Sequence, residues 1–336
     1  IAAVSTTSKG LEPDRRNTWN DGLQTFLTAL GTQPEFNALT FHVYPSLFID
    51  KANFQDCNLE LYMSNTTLMG QILSTPYKTF DDLENNEFQI LDQSTYNFEG
   101  WITEYNQEDD QYNFHGRWAH GLFTTLMTLR ALENSLITKV TCFELIHSAN
   151  RDVVFSDEKA FSTNTGACNA AIEYPEAIQW EFGAVGKALR YVGLATQNAL
   201  SARSLNFPNA PTIPGKDQDR PGVYGWLFSN VAYPQSFSAL DSNWVVVLNL
   251  SPSGVYLEAS TIFPLGGEDV VLRQKEDENS PYEFIYDVEN QLLADEFVAF
   301  NGGPSSKSII NLPKYSLLFI RNTIQPAISA PHIQVT

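Results

Sequence analysis

Basic residues, cysteines and long apolar runs are all scarce in this sequence. The 336 residues include 20 Lys and Arg against 39 Asp and Glu, a formal net charge of -19. Without a basic surface to neutralise phosphates, the chain is unsuited to nucleic acid or to an anionic membrane. No run approaches the roughly 18 apolar residues of a membrane span. The acidic balance suits a neutral partner such as a carbohydrate, and solubility alone would also explain it.

Metal-ligand and phosphate-binding patterns are absent as well. Cys57, Cys142 and Cys168 are an odd number of cysteines without metal-type spacing, so we expect no metal and no cofactor. There is no glycine-rich phosphate loop and no nucleophilic serine elbow. The acidic run at residues 108–110 could bind calcium, but we interpret it as a solvated loop.

What the sequence does contain is an alternation of short β runs and helical patterns over its first ~200 residues. Strands are predicted at Ile1–Thr7, Ala38–Ser46, Glu99–Asn106 and Lys139–Ser148. Helices are predicted at Asn17–Leu30, around Leu59–Leu73, at Gly116–Asn134 and at Ala177–Thr196, with an acidic connector at Asp81–Glu87. Four β/α units in this order predict a parallel α/β arrangement, which is either an open doubly wound sheet or a barrel.

The composition changes near residue 205. Asn206–Gly222 is rich in Pro and Gly and is typical of a linker. Around seven short β runs follow without a convincing helix, which predicts an antiparallel β-sandwich. We therefore divide the chain into an α/β part (1–205), a linker (206–222), a sandwich (223–325) and a tail or further linker (326–336).

Polar side chains recur where the second, third and fourth strands end. A lone acid or histidine at a strand end is commonly a surface or structural residue, but burying several polar groups together is costly unless a function or a satisfied network compensates. The carboxyl ends of parallel strands converge on one face, where active sites are built. The candidates are His42 and Tyr44, then Glu104, Tyr105 and Asn106, then Glu144 and His147.

These motifs carry a resemblance to a known family. "TFHVYP", "GWITEYN" and "CFELIHS" resemble the sixth, seventh and eighth strands of the clan A (β/α)8 glycoside hydrolases, in particular the β-xylosidase and α-L-arabinofuranosidase type. The resemblance implies that Glu104 is the nucleophile, in the context Thr103-Glu104-Tyr105-Asn106. It also implies that His42 and Tyr44 line the sugar subsite, and that a β-sandwich packs beside the barrel.

Retaining glycosidases explain why carboxyl groups are needed. They use two carboxyl groups about 5–5.5 Å apart, one as nucleophile and one as acid/base. Tyr44 would donate a hydrogen bond to the nucleophile, and His42 would contact sugar hydroxyls or the acid/base. Trp101 could stack on a sugar ring or pack in the core, as could Trp118, and we keep Trp101 as a substrate-binding candidate. Glu144 would either contact the sugar or lie behind the groups that do.

The acid/base of the family does not have a match in this sequence. The family has an Asn-Glu pair at the end of its fourth strand, whereas the pair Asn86-Glu87 falls in the acidic connector, where we interpret Glu87 as a solvated loop residue. Because Ile1–Thr7 would be the fifth strand, we expect the chain to be the C-terminal half of a barrel plus its sandwich. Half a barrel exposes an apolar strand edge, so we expect an N-terminal half, as a segment or a separate polypeptide, to supply the acid/base.

Three functions therefore compete. The first is a retaining glycoside hydrolase acting on an oligosaccharide or polysaccharide, outside the cell or at its surface. The second is a non-catalytic carbohydrate-binding or adhesive component of the cell surface, built on a degenerate glycosidase scaffold. The third is an unrelated doubly wound α/β domain, which explains the alternation but neither the polar strand ends nor the sandwich. Retention of Glu104, His42 and Tyr44 favours the first.

Overall fold

The structure is a computed structural model that describes most of the α/β part and of the second sheet. The described residues are 2–4, 22–23, 25–31, 34, 36–47, 65–93, 96–106, 118–142, 155–156, 181–182, 184–232, 243–258, 263, 266–274, 288–289, 298–301 and 309–322.

Within the described ranges, the first sheet has four strands, which lie side by side in their order along the chain. They are β1 (Ala2–Val4), β2 (Ala38–Val43), β3 (Glu99–Tyr105) and β4 (Ile137–Cys142). Every neighbouring pair is parallel. The four predicted strands and their parallel arrangement are confirmed, while membership of a barrel rather than an open sheet stays a prediction.

Helices connect these strands and follow them. The labelled helices are α1 (Thr66–Asn85), α2 (Gln89–Gln93), α3 (Trp118–Ala131) and α4 (Ala184–Thr196), and residues 25–30 are also helical. Asn65 caps α1 by accepting a hydrogen bond from the backbone N–H of Leu68 at 3.1 Å. The helix predicted from Ala177 begins only at Ala184. Before it, β6 (Glu181–Phe182) pairs with β5 (Phe155–Ser156).

The interpretation of Glu87 as a solvated residue in an acidic connector is wrong. Residues 81–85 are the last part of α1, and Glu87 lies in the turn before α2 with only 4% of its surface exposed. Phe88, the next residue, packs edge-on against Phe41 of β2 with ring centroids 5.0 Å apart. Because both rings are fully buried, this contact holds Phe88, and with it the neighbouring Glu87, in the core.

The helices cover one face of the first sheet. Leu39, Phe41 and Val43, at alternate positions of β2, lie in the core that includes residues of α1 and α3. Thr40 and His42 alternate with them and are more exposed. Side chains of a strand alternate between its two faces, so the polar residues of β2 share the face that is turned away from the helices.

Seven strands of the described residues form the second sheet. They are β7 (Ser201–Ser204), β10 (Val223–Ser229), β11 (Asn243–Asn249), β13 (Gly266–Gln274), β14 (Val288–Glu289), β15 (Val298–Asn301) and β17 (Ser316–Arg321). Six run in the spatial order β14-β13-β17-β11-β10-β7, and β15 also pairs with β13. All of these pairings are antiparallel.

Two smaller ribbons accompany this sheet. They are β8 (Thr212–Ile213) with β9 (Arg220–Pro221), and β12 (Val255–Glu258) with β16 (Ile309–Leu312). Val245 and Val247 of β11 pack in one apolar cluster with Ile310 of β16, whereas Val246 and Leu248 pack in the core shared with the helices. The sheet is therefore buried on both faces, which explains why its central strands read as continuous apolar runs. A β-sandwich-like region is confirmed.

A network of charged groups joins the helices to the second sheet. The two carboxylate oxygens of Asp81 in α1 accept hydrogen bonds from Arg130 of α3 at 3.0 Å and from Arg220 of β9 at 2.6 Å. Arg130 also pairs with Glu133, which accepts a further hydrogen bond from Tyr224 of β10. Both arginine side chains are about nine-tenths buried. Since an unpaired buried charge is costly, this pairing favours one arrangement of the two layers.

The predicted domain boundaries stay predictions, although strand pairing crosses them. β7 precedes residue 205 but pairs with β10 of the second sheet. β8 and β9 pair within the predicted linker.

None of the helices in the described ranges is long and apolar enough to cross a membrane. Among the same residues, no group of three or more His, Cys, Asp or Glu could hold a metal ion.

Asp269 makes the stability of the second sheet depend on pH. It lies in β13 directly opposite the buried Ile320 of β17, and burial raises its pKa from 3.8 to about 6. The unfolded chain therefore gives up this proton at lower pH than the folded chain. The resulting destabilisation is absent below about pH 4, grows as the pH rises, and is complete above about pH 6.

We expect Asp269→Asn to raise the free energy of unfolding by roughly 1 kcal/mol at pH 8, allowing for solvent screening, and to have little effect at pH 4. Urea unfolding at pH 4, 6 and 8 measures both values. Glu268→Gln is the matched control and should destabilise at pH 8, because Glu268 accepts hydrogen bonds from Arg321 at 2.7 and 2.9 Å. A pH-independent effect of Asp269→Asn would contradict the role of its carboxyl group.

Candidate active site

The candidate site lies at the carboxyl ends of β2 and β3. His42 is next to last in β2, Glu104 is next to last in β3, and the two residues are paired across the strands. Tyr44 follows the end of β2 directly. Because the strands are parallel, these ends meet at one edge of the sheet, so neighbouring strands bring the three side chains together.

An irregularity in β3 decides which way Glu104 points. Phe41 is paired with Ile102, but the next residue, His42, is paired with Glu104, so Thr103 is an extra residue in the ladder. The pairing of β3 with β4 shifts between Ile102 and Tyr105 as well. An added residue reverses the alternation of every side chain after it. Glu104 therefore shares the open face with His42, whereas a regular strand would turn it toward the helices with Ile102.

A hydrogen bond and a close polar contact hold the carboxylate of Glu104. The hydroxyl of Tyr44 donates to Oε2 of Glu104 at 2.7 Å, and Nδ1 of His42 lies 3.2 Å from the same oxygen. The side chain of Glu104 is 32% exposed and that of His42 is 48% exposed. The carboxylate is therefore both fixed in direction and within reach of a molecule in solution.

A second polar cluster occupies the other end of the same face. The indole N–H of Trp101 donates to Glu99 at 2.9 Å, and the Thr138 hydroxyl donates to the same oxygen at 2.8 Å. These hydrogen bonds, with a smaller contribution from Lys139, lower the pKa of Glu99 below its usual value. The ammonium group of Lys139 lies over the indole ring, 3.6 Å from its centroid. A sugar could stack on that side of Trp101 only after Lys139 had moved.

Tyr105 and Asn106 are directed away from Glu104. Tyr105 lies in the core beneath the helices, where its hydroxyl shares a hydrogen bond with Thr128 of α3 at 2.6 Å. Burial raises its pKa well above the ordinary value, and Cys142 adds to the shift. Asn106 is only 3% exposed and its Oδ1 lies 2.7 Å from Nε2 of His120. Their predicted contact with sugar stays a prediction, and neither placement favours it.

Some predicted candidates lie outside the described residues. Glu144 and His147, at the end of the fourth predicted strand, belong to this group, as do the acidic residues 108–110. Trp118 lies within the core, and its indole N–H donates to the backbone oxygen of Tyr315 at 2.5 Å. Of the predicted site residues, the structure thus brings together Glu104, His42 and Tyr44.

Sequence reasoning missed two features of this site. One is the extra residue Thr103, which cannot be recognised from the sequence because apolar and polar residues do not alternate regularly in β3. The other is His120, which is fully buried in α3 and contacts the end of β3 through Asn106. Its position in a strongly apolar helix gave the only available signal, because a buried histidine needs a hydrogen-bonding partner.

Comparisons with known proteins bear on the fold. No protein-family model and no curated protein matches the sequence. Among solved structures, AbfB, a family 51 alpha-L-arabinofuranosidase from Bifidobacterium longum, is similar with a TM-score of 0.54 at 10% identity, over 95% of this chain and 58% of that one. A 4-O-alpha-L-rhamnosyl-beta-D-glucuronidase from Fusarium oxysporum 12S is similar with a TM-score of 0.52 at 12% identity, over 94% and 58%.

These similarities concern the fold alone. The chain shares the arrangement of its α/β layer and its β-sandwich-like sheet with glycoside hydrolase structures, as the motifs at its strand ends led us to expect. It spans 58% of the length of the two chains it is compared with.

We expect Asn106 to act through stability rather than through contact with a ligand. Asn106→Ala removes the hydrogen bond to His120 in the core, and should lower the free energy of unfolding by about 1–3 kcal/mol. Urea unfolding measures the change, with Asn97→Ala, at an exposed position near the start of β3, as control. Unchanged stability together with weaker binding of a sugar would instead identify Asn106 as a ligand contact.

Proposed function

We propose that this chain is the nucleophile-bearing part of a retaining glycoside hydrolase acting on an oligosaccharide or polysaccharide. Glu104 is the nucleophile, and Tyr44 and His42 position it. The acid/base glutamate comes from an N-terminal half-barrel, either a preceding segment or a separate polypeptide. We propose that it acts outside the cell or at its surface, where a polysaccharide substrate would be met.

The observation that carries this proposal is the environment of Glu104. It is a carboxylate on the open face of a parallel sheet, at the edge where active sites of such sheets are built. It accepts a hydrogen bond from Tyr44 and lies beside His42. A carboxylate whose only task was solubility would have no need of an extra residue in the strand to reach this position. Bulges of this kind are common next to active sites, where they redirect a side chain.

The chemistry assigns different tasks to the two oxygens of Glu104. Among the described residues, both contacts of this carboxylate converge on Oε2. Oε1 is then the oxygen that attacks the anomeric carbon, forming a glycosyl ester as the bond to the leaving oxygen breaks. The acid/base donates a proton to that leaving oxygen. In the second half of the reaction it accepts a proton from water, which attacks the same carbon and releases Glu104.

The length of the similar enzymes and the burial of Glu87 both indicate that the acid/base lies outside this chain. The chain corresponds to 58% of the arabinofuranosidase and glucuronidase chains that share its fold, so those enzymes contain further residues. Glu87, the glutamate of the Asn-Glu pair, is buried in the turn after α1, which is an unsuitable place for a group that must reach a sugar. Arabinose-, xylose- and glucuronic acid-containing glycans are the first substrates to test.

We expect Glu104→Gln to lower kcat at least about a thousandfold in the complete native protein, because the amide cannot form the glycosyl ester. A 2-deoxy-2-fluoro glycosyl fluoride should label the wild type at Glu104, detected by peptide mass mapping. Fluoride leaves without help from an acid, so labelling tests the nucleophile independently of the acid/base. Glu99→Gln, which changes a carboxylate on the same face, is the control and should retain labelling.

The opposite outcome has a definite meaning. If no 2-fluoro sugar from a panel of arabinofuranosyl, xylosyl and glucuronyl fluorides labels Glu104, the nucleophile assignment fails. If glycans nevertheless bind to the native protein, the non-catalytic carbohydrate-binding function becomes the better explanation. N-terminal sequencing and the intact mass of the native protein identify any segment that carries the acid/base.

Tyr44→Phe should lower kcat by about 10- to 100-fold with a smaller effect on KM. The hydroxyl donates to the carboxylate, and a hydrogen bond to a charged group contributes about 1.5–3 kcal/mol. Steady-state kinetics of the complete protein measure both constants. Tyr96→Phe, at a partly buried tyrosine whose ring packs at a tilt against Phe98 near the start of β3, is the control and should change neither. An unchanged kcat in Tyr44→Phe would remove this hydrogen bond from the mechanism.

A further inference from the structure

A cleft of about 640 Å³ lies on the side of the second sheet that carries the ribbon β12–β16. One wall is the segment 206–211, and the other is formed by residues 253–257, from the turn before β12 and from β12 itself. The volume is within the range of sites that bind small molecules or a few sugar units. Neither Glu104 nor any other group of the candidate active site lines it.

The walls of this cleft are fixed by hydrogen bonds. In the first wall, the backbone oxygen of Pro211 accepts from the N–H of Gly222 at 2.8 Å, and that of Phe207 accepts from Ala210 at 3.0 Å. In the second wall, the backbone oxygen of Ser253 accepts from the side-chain amide of Asn249 at 2.7 Å. A ligand would therefore meet a preformed site, which keeps the entropic cost of ordering low.

An exposed tyrosine marks the mouth of the cleft. Val255 and Leu257 of β12 pack against the apolar cluster beneath, so Tyr256 between them points outward, and it is 75% exposed. Its neighbour across the ribbon is Asn311 of β16. A tyrosine held so far into solvent by a regular strand presents a flat apolar ring and a hydroxyl to a ligand.

The lining of the cleft is uncharged, which indicates the class of ligand. Among the described residues that line it, polar groups come from Asn206, Asn209, Ser253 and the hydroxyl of Tyr256, and apolar surface comes from residues such as Phe207. In a chain with a net charge of -19, a site of this size without charged side chains suits a neutral ligand. Amides and hydroxyls beside an aromatic ring match a sugar, which has an apolar C–H face and many hydroxyl groups.

We propose that this cleft is a second carbohydrate-binding site that holds a neutral glycan chain by stacking a sugar ring on Tyr256. The site is separate from Glu104 and requires no chemistry there. It would keep a polymeric ligand attached to the protein irrespective of the reaction.

The test uses the full chain with Glu104→Gln, so that no ligand is consumed. Native affinity electrophoresis in gels containing arabinoxylan, xyloglucan or polygalacturonate, followed by calorimetric titration with neutral hexasaccharides, measures binding. We expect retardation by a neutral polymer, and Tyr256→Ala should weaken binding at least about tenfold. Tyr256→Phe should retain most of it, because the ring remains. Ile309→Ala removes another exposed apolar side chain of the same ribbon, outside the cleft, and should change nothing.

Several results would overturn this proposal. They are the absence of binding to every neutral glycan tested, binding that Tyr256→Ala leaves unchanged, and retardation by the acidic polymer alone. Binding of a proline-rich peptide, or self-association in sedimentation, that is lost in Tyr256→Ala without any glycan binding would assign the cleft to a different partner. Because Glu104→Gln is present in every measurement, a lack of glycan binding here says nothing against the proposed hydrolase function. Conversely, a lack of labelling by 2-fluoro sugars says nothing against this second site.

Discussion

The extra residue in β3 is the constraint on which the candidate site depends. A strand alternates its side chains with a period of two, so one added residue exchanges the faces for everything that follows. Before Thr103, Ile102 faces the helices opposite Phe41; after it, Glu104 faces the open side opposite His42. The bulge thus lets β3 pack Ile102 beneath the helices and still end with an accessible carboxylate.

The position of Glu104 is secured from behind the sheet. Tyr105 faces the helices and is held to α3 by its contact with Thr128, and Asn106 is held to the same helix by His120. The helix layer is in turn fixed by the second sheet, through the stacking of Tyr191 on Phe319 and the charged network around Asp81. Such contacts keep a strand end in place even though the side chain of Glu104 is open to solvent. The described residues of the sandwich-like region therefore support the site without contributing a side chain to it.

The sequence predicts the regular parts of this fold well and the local departures poorly. Parallel strands, helices and an antiparallel second sheet follow from periodicity, because burial of alternate or helical faces is what the periodicity records. The burial of Glu87 could not be foreseen, since it depends on Phe88 reaching Phe41 on a distant strand. Polar strand ends predicted Glu104, His42 and Tyr44 as site residues, and these three side chains do lie together. The same criterion could not separate them from Tyr105 and Asn106, because sequence proximity does not reveal which face a residue occupies.

Two carboxylates on the open face of β3 illustrate how location decides function. Glu99 begins the strand, and its hydrogen bonds come from Trp101 two residues later and from Thr138 on β4. Glu104 ends the strand, and its contacts come from His42 and Tyr44 at the end of β2. Parallel strands bring their carboxyl ends, and the segments that follow them, to one edge of the sheet, so side chains from different strands can converge on a ligand there. At the opposite end Glu99 serves to join neighbouring strands, and this difference is the reason for assigning chemistry to Glu104.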